Sequence, residues 1–191
     1  QLENFFFFLR HHFDCQSVSE ITIEVNPEDV TQERLKVIKC CGINRISLGV
    51  QTFNNKYLKY LGRNHNGLSA IKSVELMKTF EFDNISMDLM FGFEQQTLND
   101  LNSDIEQMIL LEPQHISLYG LTIEPHSKFF AQGKVVSNDL QAEMYRNILE
   151  NMRRYNYKQY EISNFAQEGY ESEHNKNYWL GKNYIGLGVG A

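Results

Sequence analysis

No apolar run in the 191 residues approaches the roughly 20 needed to cross a membrane, so a transmembrane segment is excluded. The longest apolar cluster, "FFFFL" at 5–9, is flanked by Asn4 and "RHHFD" and is expected to form one buried helix turn. A signal-peptide pattern is also lacking. There is no basic excess: the formal net charge of −6 argues against nucleic acid, because phosphate binding calls for a basic surface. Cysteine is scarce, and Cys15, Cys40 and Cys41 make no even framework. They are expected to be reduced, mostly buried thiols of a cytoplasmic protein, with Cys40 and Cys41 packing near a helix end rather than holding metal. No linker, low-complexity tract or charge block divides the chain, so residues 1–191 are expected to form a single domain. The chain opens on Gln1 rather than methionine and closes on "YIGLGVGA", a glycine-rich run that looks like a strand still under way. Both features suggest a fragment.

What is present is a repeating strand–helix grammar. Four segments, "ITIEVNP" (21–27), "RISLGVQ" (45–51), "NISMDLMFG" (84–92) and "HISLYGLT" (115–122), alternate apolar and polar residues with period two. Helical patterns lie between them. "PEDVTQERLKVIKCCG" places acids in its first turn and Gly42 at its stop. "NGLSAIKSVELMKTFEF" and "TLNDLNSDIEQMILLEP" follow, and "SNDLQAEMYRNILENMRRYNY" is capped by Ser137 or Asn138. This alternation predicts βαβ units and a parallel sheet. The long segment 124–137 is expected to be a rim loop.

The two faces of these strands differ. Ile21, Ile23, Val25, Ile46, Leu48, Val50, Ile85, Met87, Leu89, Ile116 and Leu118 form an apolar face suited to helices. The opposite face carries Thr22, Glu24, Asn26, Ser47, Gly49, Gln51, Ser86, Asp88, Ser117 and Tyr119. Such a face must meet water or a polar ligand, because an unpaired buried carboxylate costs several kcal/mol. A parallel barrel enclosing a ligand cavity satisfies both faces, whereas an antiparallel sheet with one solvated face would not need the intervening helices. Glu24, Gln51 and Asp88 then lie near the carboxyl ends of three successive strands, where barrel sites collect.

"IEVNPE", "GINRISLGVQTF", "LGRNH", "NISMDLMFG", "HISLYGLTIEP", "YEISNFA" and "HNKNYW", in this order, resemble the oxygen-independent coproporphyrinogen III oxidase family of radical S-adenosylmethionine (SAM) proteins. The resemblance runs from about Glu20 to Ala191. It implies an α/β fold, a partial (β/α)6 TIM-like barrel, with a [4Fe–4S] cluster held by a CxxxCxxC loop and liganded by SAM. It places SAM contacts on Glu24, Gln51, Arg63, Asp88 and Thr122. Three of these are residues that the polar face had already isolated. Carboxylates suit the amine and hydroxyls of SAM, and Arg63 suits an anionic group.

Three departures stand out. CxxxCxxC is absent, so the cluster-binding part is expected to precede Gln1, and no metal ligands are expected within this chain. The family's Pro-Gly pair after "DLMFG" is replaced by Glu94 and Gln95. A C-terminal domain is expected beyond Ala191. Within the family, "HNKNYW" resembles the signature of a heme-chaperone branch, which implies heme binding at His174 and delivery to an acceptor protein. Tyr178 and Trp179 offer flat surface for a porphyrin. The alternative for His174 and Asn175 is to tie down a loop beneath the barrel while Trp179 fills core. Two other functions stay open: oxidative decarboxylation of coproporphyrinogen III to protoporphyrinogen IX, and a cluster-less barrel that binds a porphyrin or partner. The remaining histidines, His11, His12, His65, His115 and His126, show no ligand spacing and are expected at the surface or at caps, with His65 singled out because it neighbours Arg63. Glu161, Ser163 and Asn164 are expected on a further strand aimed at the same cavity mouth.

Overall fold

The computed structural model describes residues 1–15 and 17–189. Its frame is a six-stranded sheet in the order β1-β2-β3-β4-β6-β5. Strands β1 (Thr22–Val25), β2 (Arg45–Gln51), β3 (Ile85–Phe91) and β4 (His115–Gly120) run parallel. β5 (Lys158–Gln159) and β6 (Asn164–Ala166) are antiparallel to their neighbours, so the sheet is mixed rather than uniformly parallel. The reason is local. The short connection 160–163 admits a hairpin return, while a parallel strand needs a crossover of a dozen residues or more.

Helices α1 (Leu2–His12), α2 (Gln32–Cys40), α3 (Asn55–Tyr60), α4 (Gly67–Thr79), α5 (Leu98–Leu110), α6 (Lys128–Ala131), α7 (Asn138–Arg154) and α8 (Glu173–Trp179) supply the rest, with a 3-10 turn at Pro27–Asp29. Their starts follow side-chain chemistry. Thr31 caps α2, Asn66 and Ser69 make a reciprocal capping box on α4, Thr97 and Asp100 do so on α5, and Ser137 caps α7. Gly42, at φ +71°, ends the α2 segment.

The core lies on the apolar face of the sheet. Ile46, Leu48, Val50, Met87, Leu89 and Ile116 pack against Leu35 and Ile38 of α2, Val74 and Met77 of α4, Leu101 and Ile105 of α5, and Met144 and Ile148 of α7. Removing any one of these large side chains would leave a cavity costing roughly 2–5 kcal/mol.

Four expectations need correction. Helix α1 buries no residue, and Phe5, Phe7 and Phe8 stand exposed, because only Leu2 and Phe6 reach the core. Cys41 is buried, but Cys40 is exposed on the outer side of α2 and Cys15 is half-buried. The segment 124–137 contains the single-turn helix α6. Residues 182–189 form no strand and are exposed, while Gly190 and Ala191 lie outside the described residues.

The loop after β3 shows how the chain manages without Pro-Gly. Gln95 adopts φ +66°, a left-handed conformation that glycine takes without strain. Gln96 Oε1 accepts from the backbone N–H of Gly92 (2.7 Å) and Phe93 (3.2 Å), and the Tyr57 hydroxyl lies 2.9 Å from Gln95 O.

Candidate functional site

The polar face is organised in rows set by strand register. Glu24, Ser47, Ser86 and His115 are successive partners across β1 to β4, and Gly49, Asp88, Ser117 and Asn164 form the next row up. Helix α8 and residues 17–20 lie over the amino-terminal end of these rows. Together they enclose a cavity of about 600 Å³ that Glu24, Arg45, Asp88, His115 and His174 all line.

Asp88 is held between strands: Ser47 Oγ lies 3.1 Å from both of its carboxylate oxygens. Burial pushes its pKa above the ordinary carboxylate value; hydrogen bonds from Ser117 and Ser47 oppose that rise, while the Glu24 charge adds to it. Glu24 is exposed to the cavity. The arrangement offers a cationic or hydroxyl-bearing ligand two carboxylates on one wall.

Gln51 and Arg63 sit elsewhere. A register shift between Gly49 and Gln51 carries Gln51 to φ +68°, off the regular pleat. Its Nε2 would lie 2.9 Å from a Cβ on Gly49, and Asn26 Oδ1 would lie 3.4 Å from it, so both side chains converge over this glycine. Arg63 Nη1 donates to Asn26 Oδ1 at 3.0 Å. Asn26, Gln51 and Arg63 thus form a second polar cluster at the carboxyl ends of β1 and β2. Thr122 is exposed, two residues past the end of β4. The structure therefore brings Glu24 and Asp88 together, gathers Gln51 and Arg63 above them, and leaves Thr122 on the rim.

The positions of these clusters rest on buried anchors. Asp104 of α5 accepts from Thr52 Oγ1 (2.6 Å) and from Phe53 N–H (2.8 Å), pinning the turn that follows Gln51. Burial pushes its pKa up to about 6 against the effect of those two donors. His65 is buried, not at the surface as expected, with Nε2 3.0 Å from Val50 O and Nδ1 3.2 Å from Glu28 Oε2. His115 is likewise buried. Its Nδ1 lies 2.8 Å from Ser86 Oγ and its Nε2 2.7 Å from the Tyr160 hydroxyl. Burial, aided by the nearby Arg45 charge, holds its pKa down to about 3, so the ring is neutral. His65 had stood out only as a neighbour of Arg63, and nothing in its spacing or that of His115 pointed to burial. The available signal for His115 was its phase, which it shares with Ser117 and Tyr119.

His174 occupies the first turn of α8, at the amino-terminal edge of the sheet. Because β6 is antiparallel, it delivers the chain to this edge rather than to the carboxyl-end mouth expected from "YEISNFA". The start of α8 is fixed by Glu20, whose Oε2 accepts from Glu173 N–H at 3.1 Å, and by Asn175, whose Nδ2 donates to the Tyr160 hydroxyl at 3.2 Å. The imidazole itself is exposed and meets Tyr178 edge-on at 4.8 Å between ring centres. Asn175 does tie down the helix, but Trp179 fills no core and is 61% exposed.

Among the described residues, no group of three His, Cys, Asp or Glu side chains is placed to hold a metal ion. Cys15, Cys40 and Cys41 do not fit a [4Fe–4S] cluster. The carboxylates and the Gln51–Arg63 cluster do fit the amine, hydroxyl and carboxylate groups of SAM.

This sheet is shared with a known enzyme. The structure described as coproporphyrinogen III oxidase from Escherichia coli, a radical SAM enzyme, superposes with a TM-score of 0.79 over 94% of this chain and 42% of that one, at 22% identity. The likeness is one of fold, that of a radical SAM barrel. The family model for the radical SAM superfamily matches residues 7–108, and the chain belongs to that superfamily, whose members generally use SAM and a [4Fe–4S] cluster. Among curated relatives, a heme chaperone of Lactococcus lactis is 39% identical over 100% of this chain and 52% of its own length. One from Bacillus subtilis is 41% identical over 91% of this chain and 47% of its own length. The chain spans about half the length of these relatives. Among the described residues, no helix is long and apolar enough to cross a membrane.

Proposed function

We propose that the protein is a radical SAM-type heme chaperone. Glu24 and Asp88 receive the amine and hydroxyls of SAM, Gln51, Arg63 and Thr122 complete its contacts, and His174 offers an imidazole to heme iron. The supporting observation is that Glu24, Asp88 and His174 line one and the same cavity, in a chain similar to heme chaperones over nearly all its length. The heme would pass to an acceptor protein, and the free cysteines accord with a cytoplasmic location. SAM cleavage lies with a cluster that this chain's cysteines do not supply.

Titrating the full-length protein with heme tests this reading. Wild-type protein is expected to shift the Soret band on binding, and His174→Ala to lose that shift. Identical tight uptake by both refutes the role of His174. Protoporphyrinogen formation from coproporphyrinogen under anaerobic, reducing conditions would assign the protein to the oxidase instead.

A further inference from the structure

We propose that Arg45 anchors a carboxylate of the ligand that enters the sheet cavity, and that this ligand is a propionate-bearing tetrapyrrole. The proposal rests on the heme reading above for the identity of the ligand. The anion subsite itself rests on what surrounds Arg45.

Arg45 is the first residue of β2, and its side chain lies on the polar face at the amino-terminal edge, against the cavity. Only 4% of the residue is exposed. Among the described residues its buried Nε has no hydrogen-bond partner. The cavity also holds Glu20, Glu24, Asp88 and Glu173, yet among the described residues none of these carboxylates forms an ion pair with Arg45. Arg45 and Asp88 feel each other's charge across the cavity, but no carboxylate meets the guanidinium directly, and a buried guanidinium with an unpaired donor is costly.

The neighbours sharpen what that anion is. His115 stands beside Arg45 but is committed on both ring nitrogens, to Ser86 and Tyr160, and contributes no charge. Among the described residues, Lys182 is the other cation lining the cavity. Asp88, one row above His115 on β3, is bound by Ser47, and Glu24 lies in the same row as His115. Glu20 and Glu173 lie at this same α8 end, so the two cations share the cavity with carboxylates at both of its levels. A ligand acid group that reaches Arg45 does so at the α8 end, where His174 supplies an imidazole. The planar fork of Arg45 matches a carboxylate in two parallel hydrogen bonds, which lysine cannot reproduce.

The test uses the full-length protein with metal-free protoporphyrin IX and its dimethyl ester, followed by fluorescence titration. Neither probe can ligate through iron, so His174 is removed from the measurement. Wild-type protein is expected to bind the diacid more tightly than the diester. Arg45→Gln is expected to weaken the diacid roughly tenfold or more and leave the diester unchanged, with Arg45→Lys intermediate. Should Arg45→Gln fail to fold, by circular dichroism, the Arg45→Lys comparison carries the test. A diacid preference that survives unchanged in Arg45→Gln and Arg45→Lys, or is absent from wild type, overturns the proposal. Heme uptake that depends on His174 alongside such a result leaves the heme reading standing. Binding of no porphyrin or heme at all refutes both.

Discussion

Replacing Asp104 by asparagine should stabilise the protein at neutral pH. Its carboxyl is buried on α5 and its pKa is pushed from the ordinary 3.8 up to about 6. The folded state therefore binds this proton more tightly than the unfolded state. The stabilisation that protonation brings is fully present below about pH 3.8 and is lost as pH rises through about 6. At roughly 1.4 kcal/mol for each pH unit of that difference, the charged form costs the fold about 3 kcal/mol at pH 8. Asparagine carries no charge, and its Oδ1 can still accept from Phe53 N–H while its amide donates to Thr52 Oγ1. Urea unfolding of wild type and Asp104→Asn at pH 5 and pH 8 measures the effect. The variant should gain up to about 3 kcal/mol at pH 8, less at pH 5, with the Asp104 contribution to the pH slope removed. A variant less stable than wild type by more than about 1 kcal/mol at pH 8 would refute the reasoning. The two charge-assisted hydrogen bonds would then outweigh burial.

Two further outcomes follow from backbone geometry. Gly49→Ala places a Cβ 2.9 Å from Gln51 Nε2 and should displace that side chain, weakening SAM binding about tenfold by calorimetry of the full-length protein while circular dichroism stays unchanged. Unchanged affinity would remove Gln51 from the SAM contacts. Gln95→Gly relieves a left-handed residue at φ +66° and should raise stability by about 1 kcal/mol in chemical denaturation. A loss of stability would show that the Gln95 side chain contributes more than its backbone costs.

Much of the architecture was legible because it depends on local period. Residues 45–51 read as a strand from strict alternation, and the observed β2 has those bounds. The start of α7 was marked by its cap, and of Ser137 and Asn138 it is Ser137 whose side chain accepts the backbone N–H of Leu140. The placement of Glu24 and Asp88 on one face followed from the same period. Strand direction did not, because alternation is identical for parallel and antiparallel neighbours, and β6 was therefore aimed at the wrong edge. Gln51 left its row because a bulge is a one-residue event that a period-two count passes over. Arg45 and His115 share the phase of Ser47 and Ser117, so their place on the polar face could have been read. Their burial could not, since it depends on α8 folding back across the edge from far along the sequence. The exposed phenylalanines of α1 mark the opposite limit: an apolar run predicts a need for cover, not its source.

The two borders of the sheet are unequal. β5 is two residues long and carries exposed Lys158, paired to Glu168 at 2.8 Å, a short charged border that discourages pairing with a foreign strand. β1 is four residues long, pairs with β2 on one side only, and presents the rest of its backbone outward. Growth of the sheet by strand addition is therefore directional. A further strand finds a template beside Thr22–Val25 and is turned away at the far border.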